Sequence, residues 1–370
     1  FLLSRSLTLM PDSLPVHHEA ALLQYALSPW DAAAGMAAPG RYVLGRVLYG
    51  CLSAAVPAPV IRLAQRTSDV HVPLVVPRAC VASAAAHVAN TADSPLWQEC
   101  WYSRTPVQTI QHGHVRARHN QHVLWGCFSL PVPAQESCAA AVQQHYLQLF
   151  EVLRQTGFTQ LWRGWNFVPN INAADAQGME MYRAFNQGRA MAFARFFDQG
   201  EQAMPWVTRR MPAATAVGCQ GHDIHVYFLA GRQAARHIEN PRQRPAYKYP
   251  TEYGPRPPSF ARASAVSLQK QHMLFISGTA SIIGHSSVHI ADLAGQCRTA
   301  VENMQIVAAR AGRSLQQLTH FKVYVRHGRD VPMVRRLLQS MLGVGEEQIG
   351  CVVADICRQN LLVEIEAMQL

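Results

Sequence analysis

The 370-residue sequence predicts an α/β fold of α+β layers, in which a β-α-β-α-β unit occurs twice in tandem behind an N-terminal extension. Three observations carry that expectation. A strand-like run follows a Gln-His pair twice, as QHVLWGCFSLP from residue 121 and as QHMLFISGTASI from residue 271. Each run is followed by two helix-length amphipathic stretches with another strand-like run between them. Each copy then closes on a β-run, DIHVYFLAG at 223–231 and NLLVEIEAM at 360–368.

The first hundred residues are dense in Pro, Ala and Gly between Pro29 and Pro77, with short β-like runs at Tyr42–Tyr49 and His71–Val76. They define no fold alone, so 1–105 reads as a segment that completes or decorates the first repeat. The first repeat then spans 106–245 and the second, carrying the active site, 246–370. In the first, Ser137–Gln155 has apolar residues at mixed i+3 and i+4 spacing, the stripe an amphipathic helix needs. QLWRGWNFV at 160–168 reads as a strand and Met179–Phe197 as the second helix. The matching stretches of the second copy are Asp292–Ala311, LTHFKVYVR at 318–326 and Val331–Leu342. The strand offsets are 150, 158 and 137 residues (121 to 271, 160 to 318, 223 to 360), a drift that loop insertions produce. Each repeat is expected to be a mostly antiparallel sheet backed by two helices on one face. Between the copies, ENPRQRPAYKYPTEYGPRPPSFARA at 239–263 holds four aromatics and four arginines. Aromatics wall a pocket and arginine grips carboxylates in bidentate fashion, so this segment reads as ordered and site-lining rather than as a spacer.

Composition bounds the function. Apolar residues make up 49%, enough for a large core and too many for whole-chain disorder. No segment approaches the ~20 uninterrupted apolar residues of a membrane span. Lys+Arg exceed Asp+Glu by 33 to 23, a net charge of +10, yet only 15% of residues are charged. The chain is short of acids rather than rich in basic runs, so no nucleic-acid partner is expected, and an anionic small substrate explains the surplus arginine equally well. Nine scattered cysteines without a CxxC pair fit reduced thiols in a cytoplasmic protein. The opening FLLSRSLTLMPDSLP is broken by Arg5 and has no basic region ahead of its apolar stretch, so no signal peptide is expected.

Glu364 and Glu366 alternate with apolar residues in LLVEIEAM, which places both carboxylates on one strand face. That face is either an ordinary solvent side or a part-buried site, where burial raises a carboxyl pKa and makes it a proton donor. The equivalent run of the first copy sets Tyr227 and Leu229 against the two acids, confining an acid site to the second repeat. Cys357, seven residues before Glu364, reads as a small pocket-wall residue, since a nucleophile needs a His partner. SGTASIIGHSSVH at 277–289 lacks the Lys of a phosphate loop and reads as a turn after a strand. His285 and His289, His112 and His114, and His17 and His18 cluster without the companion ligands of a metal site, so no metal is expected. YRAFNQGR places Tyr182, Asn186 and Arg189 on one helix face, a candidate contact between repeats.

LWRGWNFVPNIN, YRAFNQGRAMAF, ENPRQ, YGPRPPSFARA, SGTASIIGH and ADICRQNLLVEIEA resemble, in order, the recurrent blocks of the chorismatase family. The resemblance covers about 110–370. It implies tandem domains like the small imine-deaminase (RidA/YjgF) fold, an activity that releases pyruvate from chorismate, and no cofactor. It places the catalytic glutamate at Glu364 and a subtype-distinguishing cysteine at Cys357. It also draws Gly278, Thr279 and Ala280 of the SGTAS block and Tyr253 into the substrate site, with Arg163, Arg256 and Arg262 as partners for two substrate carboxylates. Cys357 points to 3-hydroxybenzoate, with 4-hydroxybenzoate beside it, whereas Ala280 also suits hydrolysis to a dihydroxycyclohexadiene carboxylate. Two other functions compete: an imine deaminase of the same fold, disfavoured because GCVVADI lacks the arginine such enzymes carry there, and a non-catalytic metabolite-binding module. Single-repeat relatives form trimers with sites between subunits, so a trimer-like homo-oligomer is a further expectation.

Overall fold

The structure is a computed structural model that describes residues 23–29, 42–49, 69–72, 97–135, 137–198 and 211–370. The opening run, His17, His18 and residues 73–76 of the second N-terminal β-run lie outside these. The first repeat contains β5 (Gln108–His112), β6 (Val115–His119), β7 (Val123–Pro131), α1 (Cys138–Thr156), β8 (Gln160–Pro169), α2 (Met181–Asp198), β9 (Ala213–Cys219) and β10 (Asp223–Gly231). The second contains β11 (Arg236–Ile238), β12 (Ala263–Leu268), β13 (Gln271–Ala280), the short pair β14 (Ile282–Ile283) and β15 (Ser286–Ser287), α3 (Leu293–Arg310), β16 (His320–Val325), α4 (Val331–Leu342), β17 (Ile349–Val353) and β18 (Val363–Gln369). The two six-stranded sheets have one strand order, β5-β6-β7-β10-β8-β9 and β11-β12-β13-β18-β16-β17. Each is antiparallel except for its last pair, β8 with β9 and β16 with β17. The expected tandem repeat is present, with helices placed within two residues of the amphipathic stretches.

Two boundaries need correction. β11 pairs with β12, Arg236 opposite Ala265, so the second repeat begins before residue 246. The N-terminal strands β1 (Leu23–Pro29), β2 (Tyr42–Tyr49), β3 (Asp69–Val72) and β4 (Trp97–Ser103) do not extend the first repeat. They form a sheet of their own, ordered β1-β4-β2-β3, with β2 and β3 parallel. That order and polarity match β7-β10-β8-β9 and β13-β18-β16-β17, so the core of the same unit occurs a third time.

Helices α1 and α2 pack on each other over the outer face of the middle sheet, burying Val142, Tyr146, Leu149, Phe185 and Phe193 with Phe228 of β10. Helix α3 begins where the Asp292 side chain accepts the Gly295 N–H at 3.0 Å, and it covers β13 and β18. The inner faces of the three sheets close on one another through large aromatics. Trp165 stacks on Tyr227 at 4.5 Å and meets Trp101 of β4 at 5.6 Å, while Tyr49 of β2 meets Phe167 at 6.0 Å. With β7 and β13 aligned on their Gln-His pairs, Gly126 falls on Ile276, so their partners on the next strand, Phe228 and Ala367, correspond. Tyr227 is therefore the counterpart of Glu366, and His225 that of Glu364, two residues away from the alignment of the β-runs by sequence. Among the described residues no helix is long and apolar enough to cross a membrane.

Candidate active site

Strand β18 puts Val363, Ile365 and Ala367 on the side covered by α3 and its two acids on the side that meets the middle sheet. That side is closed to solvent: Glu364 is 4% and Glu366 2% exposed. Adjacent on one face, the two carboxyls have opposite surroundings. Glu366 accepts from Arg163 Nη2 at 2.8 Å, Trp165 Nε1 at 2.8 Å and Tyr324 OH at 3.2 Å, and from the Thr215 hydroxyl; Lys322 Nζ lies 3.0 Å away. Burial alone would raise its pKa, but Lys322, Arg163 and these donors hold it below the ordinary carboxylate range. Glu364 has no such cradle. Burial first, and the neighbouring Glu366 charge second, push it up to about 8, against the pull of Arg163 and Arg262. One strand face thus presents a neutral acid beside a fixed carboxylate, the separation that acid–base chemistry requires.

A bulge in β13 sets the position of Glu364. The pairing of β13 with β18 shifts between Ile276 and Thr279, and Gly278 lies within that shift. A Cβ at Gly278 would overlap Glu364 Oε1, so a larger residue there would displace the carboxyl. The Gly278 N–H donates to Thr215 Oγ1 at 3.0 Å; the same oxygen accepts from Arg163 and donates to Glu366. Cys357 Sγ lies 4.0 Å from Glu364 Oε2. Burial, then the nearby Glu364, push the Cys357 thiol up to about 12, so it is a protonated wall group and not a thiolate nucleophile.

Glu364 and Cys357 face a cavity of about 530 Å³ between the middle and last sheets. Its walls come from α2, β9, the 249–262 segment, β13 and the 357–360 turn. Four arginines line it, and one of them, Arg183 of α2, pairs with Glu180 at 3.0 Å. Arg189 of α2 donates through Nε to Tyr146 OH at 3.2 Å and through Nη1 to the Ser259 carbonyl. Arg262 donates to Tyr249 OH at 2.9 Å and to the Arg244 carbonyl at 3.1 Å. Arg358 donates to the His285 carbonyl at 2.8 Å, and its guanidinium lies 4.3 Å over the Tyr253 ring. Arg189 Nη2 and Arg262 Nε are buried donors with no partner among the described residues. Such groups favour a ligand that brings acceptor oxygens. Among the described residues no three His, Cys, Asp or Glu side chains gather as a metal ion needs.

A family profile for the N-terminal part of FkbO/Hyg5-like chorismatases matches residues 99–230. A chorismatase from Streptomyces hygroscopicus is 37% identical over 289 residues, covering 75% of this chain and 81% of the relative. The chain belongs to the chorismatase family. A 3-hydroxybenzoate synthase from the same organism is 41% identical over 254 residues, 64% of this chain and 71% of the relative. A chorismatase crystal structure superposes with a TM-score of 0.75 at 30% identity, over 94% of this chain and 98% of the other.

In this chorismatase the cavity takes in Glu364, Cys357, Tyr253, Arg262, Gly278 and Ala280 of the residues marked from the sequence. Three marked residues stand elsewhere. Arg163 is buried behind the wall, held by Glu366 and Thr215, because β8 points it into the junction of the sheets. Arg256 is exposed on a proline-rich turn outside the wall. Thr279 faces away, its hydroxyl donating to the Ser277 carbonyl at 2.7 Å, since residues on either side of it along the strand take the cavity face. Tyr182, Asn186 and Arg189, marked only as a contact between repeats, line the cavity across that contact. Arg358 and Thr215 were not marked. Arg358 had a signal in its place beside Cys357; Thr215 sits in AATAVGC, which offers none.

Proposed function

We propose that this chain cleaves chorismate to pyruvate and 3-hydroxybenzoate, with Glu364 as the proton donor. The observation that carries the reading is a buried Glu364 carboxyl facing an arginine-walled cavity, where burial pushes its pKa up. Chorismate brings two carboxylates and an enol ether. Arg189, Arg262 and Arg358 supply cations for the carboxylates, and the tyrosines of the 249–253 segment wall the ring. Protonation of the terminal methylene carbon by Glu364 gives an oxocarbenium ion, and the carboxylate left behind stabilises that cation. The neighbouring ring hydroxyl then attacks the cation; ring opening and loss of a ring proton give the aromatic product as pyruvate departs. Chorismate contains the same atoms as pyruvate plus 3-hydroxybenzoate, so the route consumes no water. Cys138, Cys219, Cys297 and Cys357 are free thiols, which fits a cytoplasmic setting. Incubation of the purified protein with chorismate should release pyruvate and an equal amount of 3-hydroxybenzoate, read by a pyruvate assay and chromatography. Absence of pyruvate rejects the reading.

A second reading, hydrolysis to the dihydroxycyclohexadiene carboxylate, is favoured by the small Ala280 in the wall, which leaves room for water. Cys357 decides between the two. Its thiol is bulkier than a methyl group, poorly hydrated, and placed against the acid. Cys357→Ala should divert product toward the dihydrodiol while pyruvate release continues. An unchanged product ratio would return Cys357 to a packing role.

A further inference from the structure

The acid pair of β18 is tied to the N-terminal sheet. Lys322 of β16 is 3% exposed at its side chain and pairs with two carboxylates, Glu366 of its own sheet and Glu99 of β4. It also donates to Tyr49 OH and Tyr227 OH, each at 3.0 Å. Both phenols in turn donate to Glu99, Tyr49 at 2.8 Å and Tyr227 at 3.0 Å. On the far side of Glu366, Arg163 of β8 completes the group. Glu99, Lys322, Glu366 and Arg163 thus form a buried quartet of two carboxylates and two cations, drawn from all three sheets, whose formal charges cancel. Such a group loses little to solvent screening, and removal of one member leaves an uncompensated charge.

Glu364 stands two residues from Glu366 on the same face. The groups around it are Glu366 from its own strand, Arg163 from β8, Arg262 ahead of β12, Tyr324 from β16, Tyr182 from α2 and Cys357 from the turn before β18. Glu99 is not in the cavity wall. We propose that Glu99 is a positioning residue for the catalytic acid: by completing the quartet it keeps Lys322 and Arg163 engaged, so neither cation is left to stabilise an ionised Glu364. The N-terminal sheet thereby takes part in catalysis through charge, at a distance from substrate. This rests on Glu364 being the proton donor.

The test is the pH dependence of kcat for pyruvate release from chorismate by the full chain, in wild type, Glu99→Gln, Lys322→Met and the double variant. Glu99→Gln leaves an excess buried cation, so the alkaline loss of activity should move down by on the order of one pH unit, with KM little changed. Lys322→Met removes a cation and should move it up. The double variant removes a complete pair and should return it to the wild-type position. Either single variant suffices if the other fails to fold. A ¹³C NMR titration of the Glu364 carboxyl in the same proteins should show the same shifts without turnover. Equal loss of kcat at every pH, or a shift that the double variant does not reverse, overturns the proposal. Failure of the donor reading would look different: Glu364→Gln would keep its turnover, while the NMR titration would still report whether Glu99 governs Glu364.

Discussion

Glu364→Gln should lower kcat for pyruvate release at least about 10²-fold while leaving KM within about threefold of wild type. The glutamine keeps the shape and the neutral charge that Glu364 carries below pH 8, so neither packing nor the field on Glu366 changes much. What it lacks is a transferable proton. The enol ether must be protonated on carbon before the bond to the ring oxygen can break, and the Cys357 thiol, with its pKa near 12, is too weak an acid to substitute. The arginines proposed to bind the substrate carboxylates lie elsewhere in the wall, so binding should persist. Turnover near the wild-type rate would reject Glu364 as the donor.

Gly278→Ala is the second large effect. The new Cβ would overlap Glu364 Oε1 and come within 3.1 Å of Thr215 Cγ2. The backbone cannot easily retreat, because the bulge and the bond from Gly278 N–H to Thr215 fix it. The carboxyl must rotate away from its place in the cavity, and a displacement of about 1 Å in a catalytic group can cost about 10²-fold in rate. Overpacking in this buried region should also destabilise the fold by about 1–3 kcal/mol. Kinetics with chorismate, together with thermal unfolding, check both effects. If kcat and stability stay within twofold and about 0.5 kcal/mol, respectively, the close approach is not a constraint.

The parts of this fold that could be read from the sequence are those with strong periodicity. The stripe of Val142, Tyr146, Leu149 and Leu153 marks α1, and the alternation of VEIEA marks β18 and the shared face of its two acids. Strand β9 was hidden because AATAVGC is mostly Ala and Gly, residues that signal no strand. The N-terminal sheet was hidden for another reason: β1 and β4 pair across some seventy intervening residues, and no local pattern reveals so distant a partner. The same limit applied to charge. Glu364 and Glu366 look alike in sequence, and what separates them is Arg163, Trp165, Thr215 and Lys322, which three other strands bring to one carboxylate and not to the other. Arg256 and Arg163 were plausible for their side chains alone; the turn and the sheet junction that hold them away from the cavity are tertiary facts. Arg189 became a site residue only when α2 was laid along the seam between repeats.

The most direct measurement is kcat for pyruvate release from chorismate between pH 6 and pH 10. A general acid works only while protonated, and burial with the Glu366 charge holds Glu364 protonated up to about 8. The expected profile is a plateau at the lower pH values, followed above pH 8 by a fall approaching about tenfold per unit. A rate that stays level or rises between pH 8 and pH 10 would contradict the assignment of a neutral Glu364 as the proton donor.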